Sequence, residues 1–538
     1  MNTSAAAAGP LETDSRALQR AGFLVFGLLT LSYVVFFARL TSFPYQDFPN
    51  HLTRAVVLAD LLFHDGATFG RMFDFSFMPV PYILGDLALA GLVQLFGATA
   101  AGTLWTLLVL LSWPAALLFL AHVTGLSRNG RLFVLLVGLF LATDWFFLLA
   151  FTQFRLAMAL MVVALGVAHL LRLRWTGQRF AWFCVLLAVG YFTHLVYVIF
   201  LAPCLIVSGA VRLYFRRTNW RTELMLVAPV LAVMAWHFGY ADHAYRTDAE
   251  APYTWLWGTP ALKIDGLQSE FIRYGTRFAK AQMLLFAIAI CWGLWHDLRS
   301  NRLLKPQVVE PLALAVTFLG IYVVLPSRYS QAAYVDVRAL LPIFLFVVLA
   351  RVHLADEAST RTQLGGIFSL TLVALLSLLN LGYLALHVPR NDAWGMEYRA
   401  LVARIPNGAT VLPIYTGGRE GAVAPRLHMG SYAVMDRAAL NPYLFSGDAG
   451  HPMKYFRYRQ RPYTPPQRWY NAVIPETVDW RAIACSYDFL LVDKPYNPAR
   501  IEVQTLPVAG NASAALLAIR ADAAIGCTPE KSGSKPIQ

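Results

Sequence analysis

The sequence predicts a polytopic α-helical membrane protein of about eleven transmembrane helices, followed by a C-terminal α/β extracytoplasmic domain. Of its 538 residues, 57% are hydrophobic and only 14% are charged, whereas about 25% are charged in an average soluble protein. Long apolar stretches recur over the first 390 residues, without the polar faces that helices of a soluble protein need. After residue 389 the sequence becomes polar and rich in turn residues.

The first apolar stretch, AGFLVFGLLTLSYVVFFARL (21–40), is predicted to be a retained span. It is too long for the apolar region of a signal peptide, and it lacks a small-residue cleavage site. Residues 1–20 are then a cytoplasmic N-terminal tail, residues 21–388 the membrane domain, and residues 389–538 the C-terminal domain.

The basic residues predict the orientation of the spans, because short loops rich in Lys and Arg face the cytoplasm. If all six basic clusters do so, the spans between them come in pairs, and the loops 41–102 and 239–280 lie outside. The clusters are Arg16/Arg20, Arg128/Arg131, Arg172/Arg174/Arg179, Arg212/Arg216/Arg217/Arg221, Arg299/Arg302/Lys305 and Arg351/Arg361. The predicted spans are 22–40, 103–124, 132–150, 156–173, 180–193, 195–211, 222–238, 281–298, 308–325, 338–353 and 365–388.

Two short segments test this scheme. A tight outer turn around 192–195 must join two spans, since basic residues flank the run 180–211 on both sides. The apolar run YILGDLALAGLVQLF (82–96) must not cross; it is short and carries Asp86, so we expect an amphipathic or re-entrant helix along the outer interface. If it crosses, the orientation of some early loops inverts.

In the C-terminal domain, NGATVLPIY (407–415) and YDFLLVD (487–493) are predicted to be strands, with turn-rich segments between them. Cys485 and Cys527 are the only cysteines outside the membrane part. They are predicted to form a disulfide if this domain lies in an oxidising compartment.

Three polar side chains, Asp47, His51 and Arg54, lie just where the first span ends. Pro49 stops the span, and Asn50 is the expected N-cap of an amphipathic interfacial helix. The amino end of such a helix favours a phosphate, and an acid beside it can remove a proton from an acceptor. In the alternative interpretation Asp47 caps a turn, while His51 and Arg54 anchor the helix to lipid head groups. The residue types alone do not separate the two.

The arrangement resembles the GT-C superfamily of membrane glycosyltransferases, which have a first span, an outer loop with an acid, many further spans and an outer C-terminal domain. Within it, the chain is most similar to bacterial transferases that use polyprenyl-phosphate sugars, of the aminoarabinose transferase and protein O-mannosyltransferase type. The resemblance covers about residues 20–390 and rests on architecture and short motifs.

The resemblance implies roles for individual residues. The first-loop acid of the superfamily falls on Asp47, the expected catalytic base. A second outer acid falls near Gln153 in FTQFRLAM, where an amide replaces it and Asp144 could substitute. A basic residue of an outer turn falls on His194, and the arginine that opens a late span falls on Arg338 in DVRALLP.

Further cations are expected to bind the donor phosphate together with His51 and Arg54. Charged residues at the edge of a membrane are usually functional, which favours Arg155 and Arg338. Arg273, in EFIRYGTRFAK, lies in the outer loop where a superfamily member contacts the lipid phosphate. Alternatives stay open: a histidine at position 194 is often a core residue bonded to a backbone carbonyl, and Arg338 could pair with Asp336 or extend to the interface.

The sequence identifies no cofactor. The loop 238–250 holds one histidine among scattered acids, which is a weak metal signal, so no metal ligand is assigned and a divalent metal ion stays open. Motifs for nucleotide binding or hydrolysis are absent, and so is a soluble Asp-x-Asp domain that would hold a nucleotide sugar. A lipid-linked donor at the outer face fits better.

The resulting hypothesis is the inverting transfer of a sugar from a polyprenyl-phosphate donor to a hydroxyl of a glycan, lipid or protein acceptor at the outer face of the inner membrane. The net charge of +13 is attributed mainly to cytoplasmic loops and not to nucleic acid. A transporter or flippase of lipid-linked sugars would tend to show mid-span charges or related halves. An oligosaccharide polymerase or ligase would share the architecture and is not separated by sequence.

Overall fold

The structure is a computed structural model that describes residues 10–242, 255–298, 305–329, 332–356, 362–416, 419–447, 451, 453–465 and 478–520. Helices make up most of the chain up to residue 402. In chain order they are α1 (Pro10–Ala38), α2 (Phe48–Phe63), α3 (Ile83–Val123), α4 (Arg128–Leu141), α5 (Trp145–Leu148), α6 (Thr152–Leu173), α7 (Gly177–Thr193), α8 (Val196–Tyr214), α9 (Trp220–Trp236), α10 (Pro260–Gly266), α11 (Thr276–Leu298), α12 (Pro306–Val324), α13 (Leu340–Asp356) and α14 (Thr362–Val402).

All the predicted spans lie on these helices. Within the described residues, eight helical segments are long and apolar enough to cross a membrane, so the chain is a multi-pass membrane protein. Helices α7, α11 and α13 carry the remaining three predicted spans, and the count of eleven crossings stays a prediction. The tight turn predicted at 192–195 is present, because α7 ends at Thr193 and α8 begins at Val196.

The run 82–96 and the following span both lie in α3, and Gly97 kinks the helix between them. This glycine has φ +76° and ψ 163°, a backbone conformation that only glycine adopts readily. Asp86 is only 2% exposed, so its side chain does not face the interface, and the expectation that 82–96 does not cross the membrane stays a prediction. Asp86 instead faces α2 and α6 and forms an ion pair inside the protein.

In the part of the chain that the structure describes, strands occur in three small sheets. They are β1 (Phe73–Phe75), β2 (Trp255–Leu256), β3 (Arg328–Tyr329), β4 (Ala332–Ala333), β5 (Val411–Ile414), β6 (Phe456–Tyr458), β7 (Phe489–Asp493), β8 (Thr505–Gly510) and β9 (Ala514–Ile519). The largest sheet has the order β5-β7-β9-β8. Strands β5 and β7, which lie within the two predicted strand segments, pair in parallel, and the other pairs of this sheet are antiparallel.

Alternate side chains of the C-terminal sheet enter two apolar cores, as the period of two of a strand requires. Val411 and Leu491 pack on one face against the last turns of α14 and the short helix α15 (Tyr432–Arg437). Leu490 and Val492 pack on the other face with the helix α16 (Trp480–Ser486). The sheet therefore has a helix layer on both sides.

The first loop and the C-terminal residues are joined directly. Strand β1 of the first loop pairs with β6 in an antiparallel ribbon, with Phe73 opposite Tyr458. The side-chain amide of Asn50 donates to the carbonyl of Tyr443 at 2.8 Å and accepts from the N–H of Phe445 at 2.8 Å. Asn50 thus holds the C-terminal segment. The expectation that Asn50 caps α2 is wrong, because α2 already begins at Phe48.

Cys485 is disulfide-bonded, whereas Cys184, Cys204 and Cys291 are free. Cys527 lies outside the described residues, so its pairing with Cys485 stays a prediction. The basic residues Arg299, Arg302 and Arg361 and the loop residues His243, Asp248 and Glu250 also lie outside them.

Candidate active site

Segments that are far apart in sequence meet at the end of α1. The backbone N–H groups of Gln46 and Asp47 donate to the carbonyls of Leu148 and Leu149 at 3.0 and 3.3 Å. The side chain of Gln46 also accepts a hydrogen bond from the N–H of Ala424 at 3.0 Å. The first loop, the turn after α5 and the C-terminal segment therefore form one surface around Asp47.

Asp47 is the N-cap residue of α2, and its side chain makes no capping hydrogen bond. The carboxylate is 14% exposed and lies 3.4 Å from Nε2 of His428. Burial raises the pKa of Asp47 to about 7, and a hydrogen bond from Gln46 opposes this shift only in part. Near neutral pH the group therefore exists in both protonation states, which suits a general base.

Three histidines surround the ring of Phe445, and one of them, His428, contacts Asp47. The ring centroids of His51, His428 and His451 lie 5.7, 4.9 and 4.4 Å from that of Phe445. Burial, followed by the neighbouring positive groups, lowers the pKa of each histidine, in the case of His451 to about 3. Neutral imidazoles beside Asp47 supply hydrogen-bonding groups without a compensating charge, so the raised pKa of the acid persists.

Arg54 is occupied by a carboxylate of the chain itself. Its Nε and one terminal nitrogen donate to the two oxygens of Asp86, both at 2.7 Å, and the same terminal nitrogen lies 2.9 Å from Nδ1 of His51. The guanidinium is completely buried. Arg54 was expected to bind the donor phosphate. Its guanidinium already donates to both oxygens of Asp86, so its role in this structure is to join α2 to α3.

Gln153 and Tyr455 complete the network around Asp86. The amide nitrogen of Gln153 donates to Asp86 at 2.8 Å, and the hydroxyl of Tyr455 donates to its second oxygen. Gly85 allows this approach, because a Cβ atom there would lie 2.7 Å from the Gln153 side chain. Gln153 therefore binds Asp86, and the expected contact of position 153 with the donor has no support in this geometry.

Arg155 is likewise held by an acid, Asp144. Its second terminal nitrogen donates to the carbonyl of Leu141 at 2.8 Å, and its guanidinium lies over the ring of Trp113, 5.4 Å from the centroid. Asp144 also caps α5 by accepting from the N–H of Phe147 at 2.8 Å. Arg155 was expected to contact the substrate, and Asp144 was a possible substitute for the second acid, but the two side chains pair with each other within the protein.

Glu270 is a buried acid beside Asp144 that the sequence reasoning did not identify. Its side chain is 1% exposed. Burial and the charge of Asp144 raise the pKa of Glu270 well above its ordinary value.

The amino end of α2 offers no free amide group to a phosphate. The N–H of Phe48 donates to Tyr45, and those of Asn50 and His51 donate to the carbonyl of Asp47. Pro49 has no N–H. The helix-terminus site expected from the sequence is thus replaced by side-chain donors elsewhere.

Arg338 and His194 lie side by side. Arg338 is 8% exposed, and among the residues that the structure describes no carboxylate lies within ion-pair distance of it. The acid next to it in sequence, Asp336, pairs instead with Lys263 at 2.7 Å. Tyr82 forms a side-chain hydrogen bond with Arg338, and the ring of Phe151 lies 5.1 Å below the guanidinium.

The protonation state of His194 bears on this contact. Its Nδ1 accepts a hydrogen bond from the N–H of Val196 at 3.1 Å, so it is not bonded to a backbone carbonyl through that nitrogen. Burial and the charge of Arg338 lower the pKa of His194 well below its ordinary value, and the proton of the neutral ring is then on Nε2. Nε2 faces a terminal nitrogen of Arg338 at 3.4 Å. With the proton on Nε2, neither of these two nitrogens accepts a hydrogen bond from the other.

The turn Leu149–Ala150–Phe151 connects Asp47 to the pair of Arg338 and His194. Leu149 accepts from the N–H of Asp47, and two residues later the ring of Phe151 supports Arg338. Ala150 is completely buried and has φ +61°, a left-handed conformation that costs about 1–2 kcal/mol for a residue other than glycine. The surrounding packing holds this strained turn in place.

Arg273 lies beside Trp145, at the start of α5, and forms one ion pair. It donates to Asp265 at 2.7 Å and lies 4.6 Å from the ring centroid of Trp145. Asp265 is about half exposed, so this pair is weak enough to exchange for a ligand. Among the described residues, no group of three or more His, Cys, Asp or Glu side chains is arranged to hold a metal ion.

Comparisons with known proteins give structural matches only. No protein-family model matches the chain, and no curated protein matches it. Among solved structures, ArnT from Cupriavidus metallidurans is similar in the apo state (TM-score 0.55, 11% identity, 96% of this chain and 99% of ArnT covered). ArnT bound to undecaprenyl phosphate gives a TM-score of 0.52 at 11% identity, covering 92% of this chain and 98% of ArnT.

The arabinofuranosyltransferase AftD from Mycobacteria, as its R1389S mutant, is also similar. The TM-score is 0.50 at 13% identity, and the match covers 93% of this chain but 41% of AftD. Matches over nearly the whole chain confirm the resemblance predicted from the sequence at the level of the fold. The chain therefore has the fold of the GT-C membrane glycosyltransferases.

Proposed function

We propose that the chain is a glycosyltransferase that moves a sugar from a polyprenyl-phosphate donor to an acceptor hydroxyl. The observation that carries the proposal is the buried pair of Arg338 and His194, which lie 3.4 Å apart and have no carboxylate partner among the described residues. One short turn joins this pair to Asp47, an acid whose pKa is about 7. The fold is shared with ArnT, which has been seen with undecaprenyl phosphate bound.

The chemical step follows from these two groups. Asp47 accepts the proton of the acceptor hydroxyl, whose oxygen attacks the anomeric carbon of the sugar from the face opposite the phosphate. The bond between that carbon and the phosphate oxygen breaks, and its electron pair stays on the polyprenyl phosphate. Arg338 and His194 stabilise the new negative charge, as preorganised donors do for a leaving group. Attack from the opposite face inverts the anomeric configuration.

The other expected ligands take different places in this proposal. His51, which contacts Phe445, and Arg273, whose partner Asp265 is half exposed, remain candidate ligands of the sugar or the phosphate. Arg54, Gln153 and Arg155 act through the buried networks that fix α2, α3 and the turn after α5. His428, supplied by the C-terminal segment, is a positioning residue for Asp47.

The orientation of the chain belongs to the same proposal. The six basic clusters place the N-terminus in the cytoplasm and the C-terminal α/β domain outside it, with eleven crossings of the inner membrane. Asp47, His194 and Arg338 then share the outer face, where a lipid-linked donor is presented to an extracytoplasmic acceptor.

The test compares lipids and glycans of cells that lack the chain with those of cells that carry Asp47→Asn. We expect both to accumulate the lipid-linked donor and to lose the glycosylated acceptor. Asp74→Asn, an exposed carboxylate in the same loop, is the matched control and should restore the normal profile. A normal profile with Asp47→Asn would contradict the proposal. Accumulation of donor only in the inner leaflet would favour a flippase.

A further inference from the structure

A group of exposed apolar side chains lies on the outer loop beside the candidate site. Its members are between 54% and 69% exposed, although large apolar side chains are usually covered in a protein that contacts only water. We name this group the apolar patch; it consists of Trp255, Leu256, Trp257, Leu262 and Ile264.

The strand at the centre of the patch is apolar on both faces. The rings of Trp255 and Trp257 stack on one face with centroids 5.9 Å apart, and Leu256 points to the other face. The strand β2 is the edge of its sheet, since its one partner among the described strands is β3. A free apolar edge in water invites pairing with another chain, so a different environment must cover it.

The attachment of the patch fixes its depth. The indole nitrogen of Trp257 donates to the carbonyl of Val324 at 3.1 Å. Nζ of Lys263 donates to the carbonyls of Tyr322 and Leu325 at 2.9 and 2.7 Å. These carbonyls form the carboxyl end of α12, one of the helices that can cross the membrane. The patch therefore lies at the level where this span leaves the bilayer.

The patch also continues the lipid-facing surface of α12. Val316, Leu319, Val323 and Val324 are all exposed large apolar side chains of that helix. The last two adjoin the carbonyls to which the patch is tied. One apolar surface thus runs from the exposed side of the span to both faces of β2.

We propose that the apolar patch inserts into the interfacial zone of the lipid leaflet on the side of the candidate site. Trp side chains prefer this zone, where the ring contacts acyl chains and the indole N–H finds a polar partner. The edge position of β2 opposes deeper insertion, because backbone groups without a partner strand are costly in the hydrocarbon core. The leaflet is the one that faces Arg338, which donates to the carbonyl of Ala333 in the same small sheet at 3.2 Å.

Tryptophan quenching by brominated lipids tests this proposal without any measurement of activity. The full chain is reconstituted into vesicles whose lipids carry bromine either near the top of the acyl chains or near the bilayer centre. The emission of Trp255 and Trp257 is obtained as the difference between the wild type and the Trp255→Phe/Trp257→Phe variant. Trp480→Phe is the control, since Trp480 is buried in the C-terminal part.

We expect bromine near the top of the acyl chains to quench the difference emission strongly. Bromine near the bilayer centre should quench it less. The Trp480→Phe control should keep the whole of the lipid-quenched emission. Difference emission that ignores both lipids and is quenched by aqueous iodide would overturn the proposal. If none of these agents quenches the difference emission, the proposal is overturned in favour of a protein partner that covers the patch. If bromine at the centre quenches it more strongly than bromine near the top, the proposed interfacial depth is wrong. Each outcome leaves the proposed function untouched.

Discussion

Replacing Asp86 by Asn probes the network that holds α2 against α3. Asp86 accepts two hydrogen bonds from Arg54 at 2.7 Å, one from Gln153 at 2.8 Å and one from Tyr455. Asn keeps the shape but loses the charge and one acceptor oxygen, which leaves a completely buried guanidinium without compensation. Breaking a buried pair by removing one partner costs about 3–5 kcal/mol.

The free energy of unfolding is measured by reversible denaturant titration in mixed micelles. Neither the sugar donor nor the acceptor is present. Asp74→Asn is the control, because Asp74 and its partner Arg459 are both about half exposed and such pairs contribute about 0–1 kcal/mol. The double variant Arg54→Met/Asp86→Leu removes both charges and should recover most of the loss. If Asp86→Asn costs no more than Asp74→Asn, Arg54 is not held in a closed network and regains its place as a candidate phosphate ligand.

Three further predictions concern the donor site, the topology and the C-terminal domain. Arg338→Ala should lower turnover about 10²–10³-fold, because the leaving phosphate loses a preorganised donor; Arg338→Lys should recover part of it, and rates near wild type in a transfer assay would contradict this. A reporter that is active only outside the cytoplasm should be active after residue 395 and inactive near residue 177, and the reverse would overturn the orientation. Mass spectrometry without reduction should find Cys485 linked to Cys527, and two free thiols would end that idea.

The helices could be predicted from the sequence because each carries a long apolar run, and that signal is local. The strands at 411–414 and 489–493 follow from similar local patterns. The start of α2 was placed three residues late, since Asn50 has the chemistry of an N-cap but uses it to bind the C-terminal segment.

The candidate site was predicted only in part, because its decisive contacts are long-range. Arg338 and His194 were identified, and the structure places them 3.4 Å apart across 144 positions of sequence. Asp86 was interpreted as an interfacial residue, because a lone acid in an apolar run gives no sign of a partner such as Tyr455, which is 369 positions away. The contact of His428 with Asp47 had no signal either, since the C-terminal segment carries no recognisable motif.

The pH dependence of transfer by the wild type and by Asp47→Asn tests the central claim most directly. The carboxylate is the active form of a general base, and the pKa of Asp47 is raised to about 7. The wild-type rate should therefore fall about tenfold per pH unit as the pH drops below 7, and it should level off above 7. Asp47→Asn should be slower by about 10²–10⁴-fold and should lack this acidic limb. A wild-type rate that stays constant through pH 7, or an Asp47→Asn protein with wild-type activity, would contradict the account.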